Sequence, residues 1–192
     1  MEGKTSTENR NGRYDRLSVS LLAVLVGVAT GLAGMLFNWS LDEIHRLLYG
    51  GVSEFLSMSR NRFLVIPMLA GLSVGLINMY MIKDDESGCG VTEVIEEIKL
   101  INRFLMKPKS VIIKMLATII TISGGLSAGR HGPIVHLGGA IGSNIGYRAG
   151  FSRRKIRILI GCGVAGSLAA VFDTPVFATI FVLEVMMNRD FF

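Results

Sequence analysis

The sequence predicts an all-α integral membrane protein built from broken and tilted transmembrane helices, and three observations carry that expectation. Half of the 192 residues are apolar, 23 are glycine, and the mean hydropathy is +0.49. An ordinary soluble domain of this size is neither so hydrophobic nor so rich in glycine. Residues 17–41 and 63–82 contain no Asp, Glu, Lys or Arg, and as helices each can cross a hydrocarbon core of ~30 Å, which takes roughly 20 residues. The later apolar stretches are shorter and are cut by glycine and proline.

Taken in order, residues 1–16 are polar and read as a disordered or surface-lying cytoplasmic tail, leaving 17–192 as the membrane domain. The first span runs to about Trp39, a residue suited to the membrane interface. Residues 42–62 are mixed and amphipathic, an outer connection, and 63–82 return the chain to the inside. A polar break follows at Lys83-Asp84-Asp85-Glu86-Ser87-Gly88. Residues 91–105 carry Glu93, Glu96, Glu97 and Lys99, too many charges for a simple span. Pro108 opens another apolar helix, interrupted by Lys114, which ends in the small-residue stretch 123–129. Pro133 starts a segment rich in glycine. Residues 158–172 and 174–183 are apolar but shorter than spans, and Asp173-Thr174-Pro175 separates them.

Short apolar segments interrupted by glycine and proline are the mark of discontinuous membrane helices, which are tolerated where they pack in protein or line a hydrated cavity. Gly27/Gly31, Gly71/Gly75, Gly125/Gly129 and Gly138/Gly142 have the spacing that permits close helix contact. For most of these glycines, packing alone is the expected role.

The net charge of +5 does not point to nucleic acid, because no aromatic residues interleave the basic ones. Lys4, Arg10, Arg13 and Arg16 precede the first span, and Arg148, Arg153, Arg154, Lys155 and Arg157 cluster between two later segments. Basic residues flanking spans mark cytoplasmic ends, so the amino terminus and the 148–157 loop are placed inside a cell-membrane, multi-pass topology. A signal peptide does not fit the first run, which is too long and lacks a small-residue cleavage pattern. Cys89 and Cys162 stand far apart, and His131 and His136 do not share a helical face, so neither a disulfide nor a metal site is expected. No cofactor is expected either.

Gly161-Cys162-Gly163-Val164-Ala165-Gly166 matches the G-x-G-x-x-G pattern of dinucleotide sites, with Glu184 roughly where a ribose-binding acid belongs. The surroundings reject it: spans precede it rather than βαβ units, and too little chain follows for a second half-sheet.

Two glycine-rich breaks each precede a helix start: Gly88-Cys89-Gly90-Val91-Thr92-Glu93 and Gly129-Arg130-His131-Gly132-Pro133. A helix amino terminus presents unpaired backbone N–H groups and about half a positive charge, so it can bind an anion without a full cationic side chain. Glycine lets the backbone approach the ion, and proline suits a first helical position because its missing N–H costs nothing there. An anion held weakly in this way can also leave, as conduction requires. Broken helices in a packed bundle would look the same one motif at a time.

Together the two motifs resemble those of the CLC chloride channel and transporter family. The family's second anion-binding segment reads Gly-Arg/Lys-Glu-Gly-Pro, and its first reads Gly-Ser-Gly-Ile-Pro-Glu. Residues 163–175, followed by Phe181-Val182-Leu183-Glu184, resemble its paired dimer-interface helices. The resemblance covers about residues 17–192 and implies the first repeat of an inverted-repeat membrane fold. It implies anion binding at Gly88, Cys89, Gly90, Val91, Gly129, Arg130, His131, Gly132 and Pro133, with His131 at the gate position and Glu184 at the proton-path position. Chloride or a similar small anion, membrane lipid, and a homodimer or a second-half polypeptide are the implied partners.

Four departures shape the expected function. His131 stands where the family has its gating glutamate; a neutral imidazole cannot mimic the permeant anion, and a protonated one attracts it. Cys89 replaces a coordinating serine, and a thiol is a weaker donor. Val185 replaces a second, inward-side glutamate, although Glu184 is kept. The family's second-repeat features, a Gly-x-Phe-x-Pro helix start and a pore tyrosine, have no counterpart, which suggests a partial protein. The expectation is passive, uncoupled chloride conduction and no enzymatic activity. A non-conducting membrane-embedded partner and a proton-coupled chloride antiporter are the alternatives.

Overall fold

The computed structural model describes residues 4–50, 60–81, 90–100 and 108–187. These residues form seven α-helices, and no strand occurs among them. They are α1 (Lys4–Tyr49), α2 (Arg60–Met81), α3 (Val91–Leu100), α4 (Pro108–Ser123), α5 (His131–Arg148), α6 (Arg153–Phe172) and α7 (Pro175–Phe181), the last running into a π-helical turn, Val182–Met187. The predicted polar break at 83–88 and the middle of the predicted 42–62 connection, 51–59, lie outside the described residues, as do 101–107.

The helix boundaries correct the sequence reading in three places. α1 is continuous for 46 residues, so the polar tail from Lys4 and the stretch after Trp39 belong to one helix. Nothing between Asp42 and Tyr49 breaks it: no proline or glycine intervenes, and Phe37, Leu41 and Tyr49 keep one buried face at helical spacing. α6 takes in Arg153, Arg154, Lys155 and Arg157 and reaches 20 residues, long and apolar enough to cross a membrane rather than falling short. The third difference is at α5, which starts at His131, so Pro133 lies inside its first turn instead of opening it. There it still costs no hydrogen bond, because the N–H groups of a first turn have no intrahelical acceptor. α2 keeps to the predicted 63–82 helix within a few residues and runs through Pro67.

α6 is the central helix, packed against α1, α5 and α7. Glycine makes the closest of these contacts possible. A Cβ on Gly138 of α5 would strike Gly163 and the Ser167 hydroxyl, one on Gly142 would strike the Leu159 backbone, and one on Gly166 would strike Thr30 and Gly27 of α1. The rejected dinucleotide pattern is thus a helix-packing surface in mid-α6. Ser167 crosses the same seam, its hydroxyl donating to the Ile134 carbonyl at 3.1 Å.

The end of α4 is held just as firmly, and it delivers the chain to the second glycine-rich break. Ser123 donates to the Leu41 carbonyl at 3.2 Å, and the buried Tyr49 hydroxyl donates to the Gly124 carbonyl at 2.9 Å. Gly124 lies against Ala70 of α2, and Gly125, at φ +83°, lies under Tyr49 and Pro67. Only glycine takes that backbone conformation without strain.

The outward faces of α1, α2 and α7 are apolar. Leu25, Leu32 and Leu36, then Leu69 and Leu72, then Val176 and Ile180 are all exposed. A soluble protein does not present such continuous apolar surfaces, and they suit a hydrocarbon environment.

Candidate functional site

The two glycine-rich breaks converge. Gly90, at φ +38°, immediately precedes α3, and a Cβ there would run into the carbonyl of Gly132 in the first turn of α5. The starts of the two helices therefore meet backbone to backbone, an approach that any side chain at residue 90 would prevent.

Each start leaves donors unpaired. The first intrahelical bond of α3 runs from the Val94 N–H to the Gly90 carbonyl at 3.2 Å, and that of α5 from the Ile134 N–H to the Arg130 carbonyl at 3.4 Å. The N–H groups of Val91, Thr92 and Glu93, and of His131 and Gly132, precede those bonds and have no acceptor within their own helices. Two positive helix ends are thereby set side by side, the arrangement in which a small anion is favoured. The α5 start is open on its outer side: a Cβ on Gly129 or Gly132 would meet nothing within 4 Å.

The structure thus brings Gly90 and Val91 together with Gly129, Arg130, His131, Gly132 and Pro133. Gly88 and Cys89 lie outside the described residues. Arg130 is exposed at the cap of α5 and makes no side-chain cap bond. Glu184 sits in the π-helical turn after α7, exposed, between buried Val182 and Met186. Its setting is unlike that of the glycine breaks; π turns recur at functional places in helices.

Sequence reasoning missed one residue here, Phe172. The last residue of α6, it places its ring on the His131 imidazole, with centroids 4.4 Å apart and planes at 20°. Asn38 of α1 holds the same turn by donating its amide N–H to the Val171 carbonyl at 3.1 Å. An aromatic residue beside the Asp173-Thr174-Pro175 break does not by itself signal such a contact.

With this geometry in hand, the comparisons with known proteins bear directly on it. The voltage-gated chloride channel family matches residues 70–192, well over half of the chain and inclusive of both helix starts. The chain belongs to this family. Chloride channel protein CLC-c of Arabidopsis thaliana is 30% identical over 185 residues, a match covering 85% of this chain and 23% of the plant protein. The H(+)/Cl(-) exchange transporter ClcA of Klebsiella pneumoniae (strain 342) is 26% identical, covering 88% of this chain and 36% of the transporter. The chain thus spans between 23% and 36% of the length of these CLC relatives. Among solved structures, a CLC-type fluoride/proton antiporter superposes with a TM-score of 0.70 at 26% identity, over 90% of this chain and 40% of the antiporter. A slow cyanobacterial Cl-/H+ antiporter gives 0.73 at 24% identity, over 88% of this chain and 40% of that one, and shows the shared fold. The broken-helix membrane architecture expected from the sequence is therefore the CLC fold.

Proposed function

We propose that this CLC chain supplies half of a passive transmembrane anion pathway, with chloride as the leading permeant ion. One observation carries the reading: the seating of Gly90 on Gly132, which turns two helix starts toward a common point. Backbone N–H groups and helix ends hold the ion there without a buried cationic side chain, strongly enough to admit it and weakly enough to release it. The work of this site is binding and release, not bond making. Cys89 and Gly88 complete the first helix start on this reading, and the thiol is the weaker donor.

The absence of coupling rests on His131 and Val185. Neither can present the carboxylate that would compete with the anion or relay a proton. A histidine at the gate position does bring sensitivity to acid, because imidazole gains its positive charge in the mildly acidic range. The antiporter names among the relatives, together with Glu184, favour the second reading, proton-coupled exchange. The exposed apolar face of α7, with Val176 and Ile180, is the proposed contact with a second copy or a second-half polypeptide, and lipid covers the rest.

Reconstitution in chloride-loaded liposomes, with external pH recorded during efflux, separates the readings. Chloride should leave without moving protons and should leave several-fold faster at pH 5 than at pH 7.5. In His131→Ala the flux should persist but lose its acid dependence. Chloride-driven proton uptake would establish the antiporter instead, and no halide flux at any pH would leave a non-conducting partner. The basic residues ahead of the first span favour an amino terminus in the cytoplasm; a tag at Met1 reached by protease only from the outside would overturn that orientation.

A further inference from the structure

We infer that Phe172 is the positioning residue for the gate, holding the His131 imidazole beside the α5 start. The inference rests on the anion-site reading above, but its physical content can be tested apart from it.

Among the described residues the His131 side chain makes no hydrogen bond and no ion pair; the stack on Phe172 is the contact that orients its ring. The imidazole is otherwise exposed. A neutral imidazole lies well on an aromatic face, and an imidazolium is held there more strongly, because the face of the ring is the negative end of its quadrupole. The partner ring is itself fixed. It sits on the last residue of α6, the neighbouring Val171 carbonyl is pinned by Asn38, and the helix ends at once in Asp173 with a left-handed backbone. The gate is therefore referred to α1 and α6 and is not left to its own rotamer.

The test uses the 192-residue chain with isotope-labelled histidine in detergent micelles or nanodiscs, the His131 resonance being assigned by its loss in His131→Gln. His45 and His136 report whether each variant is folded. In Phe172→Leu the His131 signal should lose its ring-current displacement. Phe172→Tyr should retain it. An unchanged His131 ring-current displacement in folded Phe172→Leu overturns the inference even if flux is acid-stimulated. Conversely, if no variant passes chloride but the resonance behaves as described, the positioning role stands and the transport reading fails.

Discussion

At the scale of single residues, the turn that ends α6 concentrates several unusual features. Asp173 has φ +53°, the one non-glycine residue with positive φ among those described. A left-handed backbone costs an L-residue roughly 1–2 kcal/mol, least for Asp and Asn, whose short polar side chains can bond locally. Asp173→Gly should therefore leave stability unchanged or raise it by up to about 1 kcal/mol, and Asp173→Val should lower it by about 1–2 kcal/mol. Thermal unfolding in detergent measures both. The identity of His131 was legible in the sequence because a motif surrounds it. Its partner Phe172 was not, since an aromatic ring before a helix break carries no record of what it faces. The same holds for Asn38, whose amide reaches a carbonyl on a helix distant in sequence.

At the scale of elements, the instructive comparison is among glycines that look alike on paper. Gly138/Gly142 and Gly71/Gly75 share one spacing, yet the first pair is pressed into α6 while Gly75 has nothing within 4 Å of an added Cβ. Gly138→Ala and Gly142→Ala should each destabilise the chain by about 1–3 kcal/mol, because the obstacles are backbone atoms and a bonded serine that cannot step aside. Gly75→Ala should instead be neutral or stabilising by up to about 1 kcal/mol, the ordinary gain in helix propensity. Denaturation midpoints of the three variants side by side would decide it, and equal losses in all three would contradict the packing picture. Helix existence was readable from apolar runs and breaks, whereas helix ends were less so. α1 overran Trp39 and α6 absorbed its basic residues, because favourable helix formers continue both patterns and no proline or glycine stops them. The meeting of α3 and α5 followed from motif resemblance, not from periodicity.

At the scale of the whole molecule, the apolar exterior of α1, α2 and α7 encloses an interior whose closest contacts are between backbones. Such a protein draws its tightness from small residues, since lipid gives helices little hydrophobic reason to associate. One of those contacts has a thermodynamic consequence. By seating Gly90 on Gly132, the fold brings together two ends of like electrostatic sign, and this mutual repulsion must be met by the packing elsewhere. On the proposed anion-site reading, a bound anion would relieve it and make the ion a component of the folded state. The melting temperature should then rise with halide concentration at constant ionic strength, by the linkage of binding to unfolding, with about 1.4 kcal/mol gained for each tenfold excess over the dissociation constant. Exchange of chloride for a large, poorly fitting organic anion at equal ionic strength provides the control, and identical melting curves in the two salts would contradict it. Salt, for this protein, would then be a folding ligand.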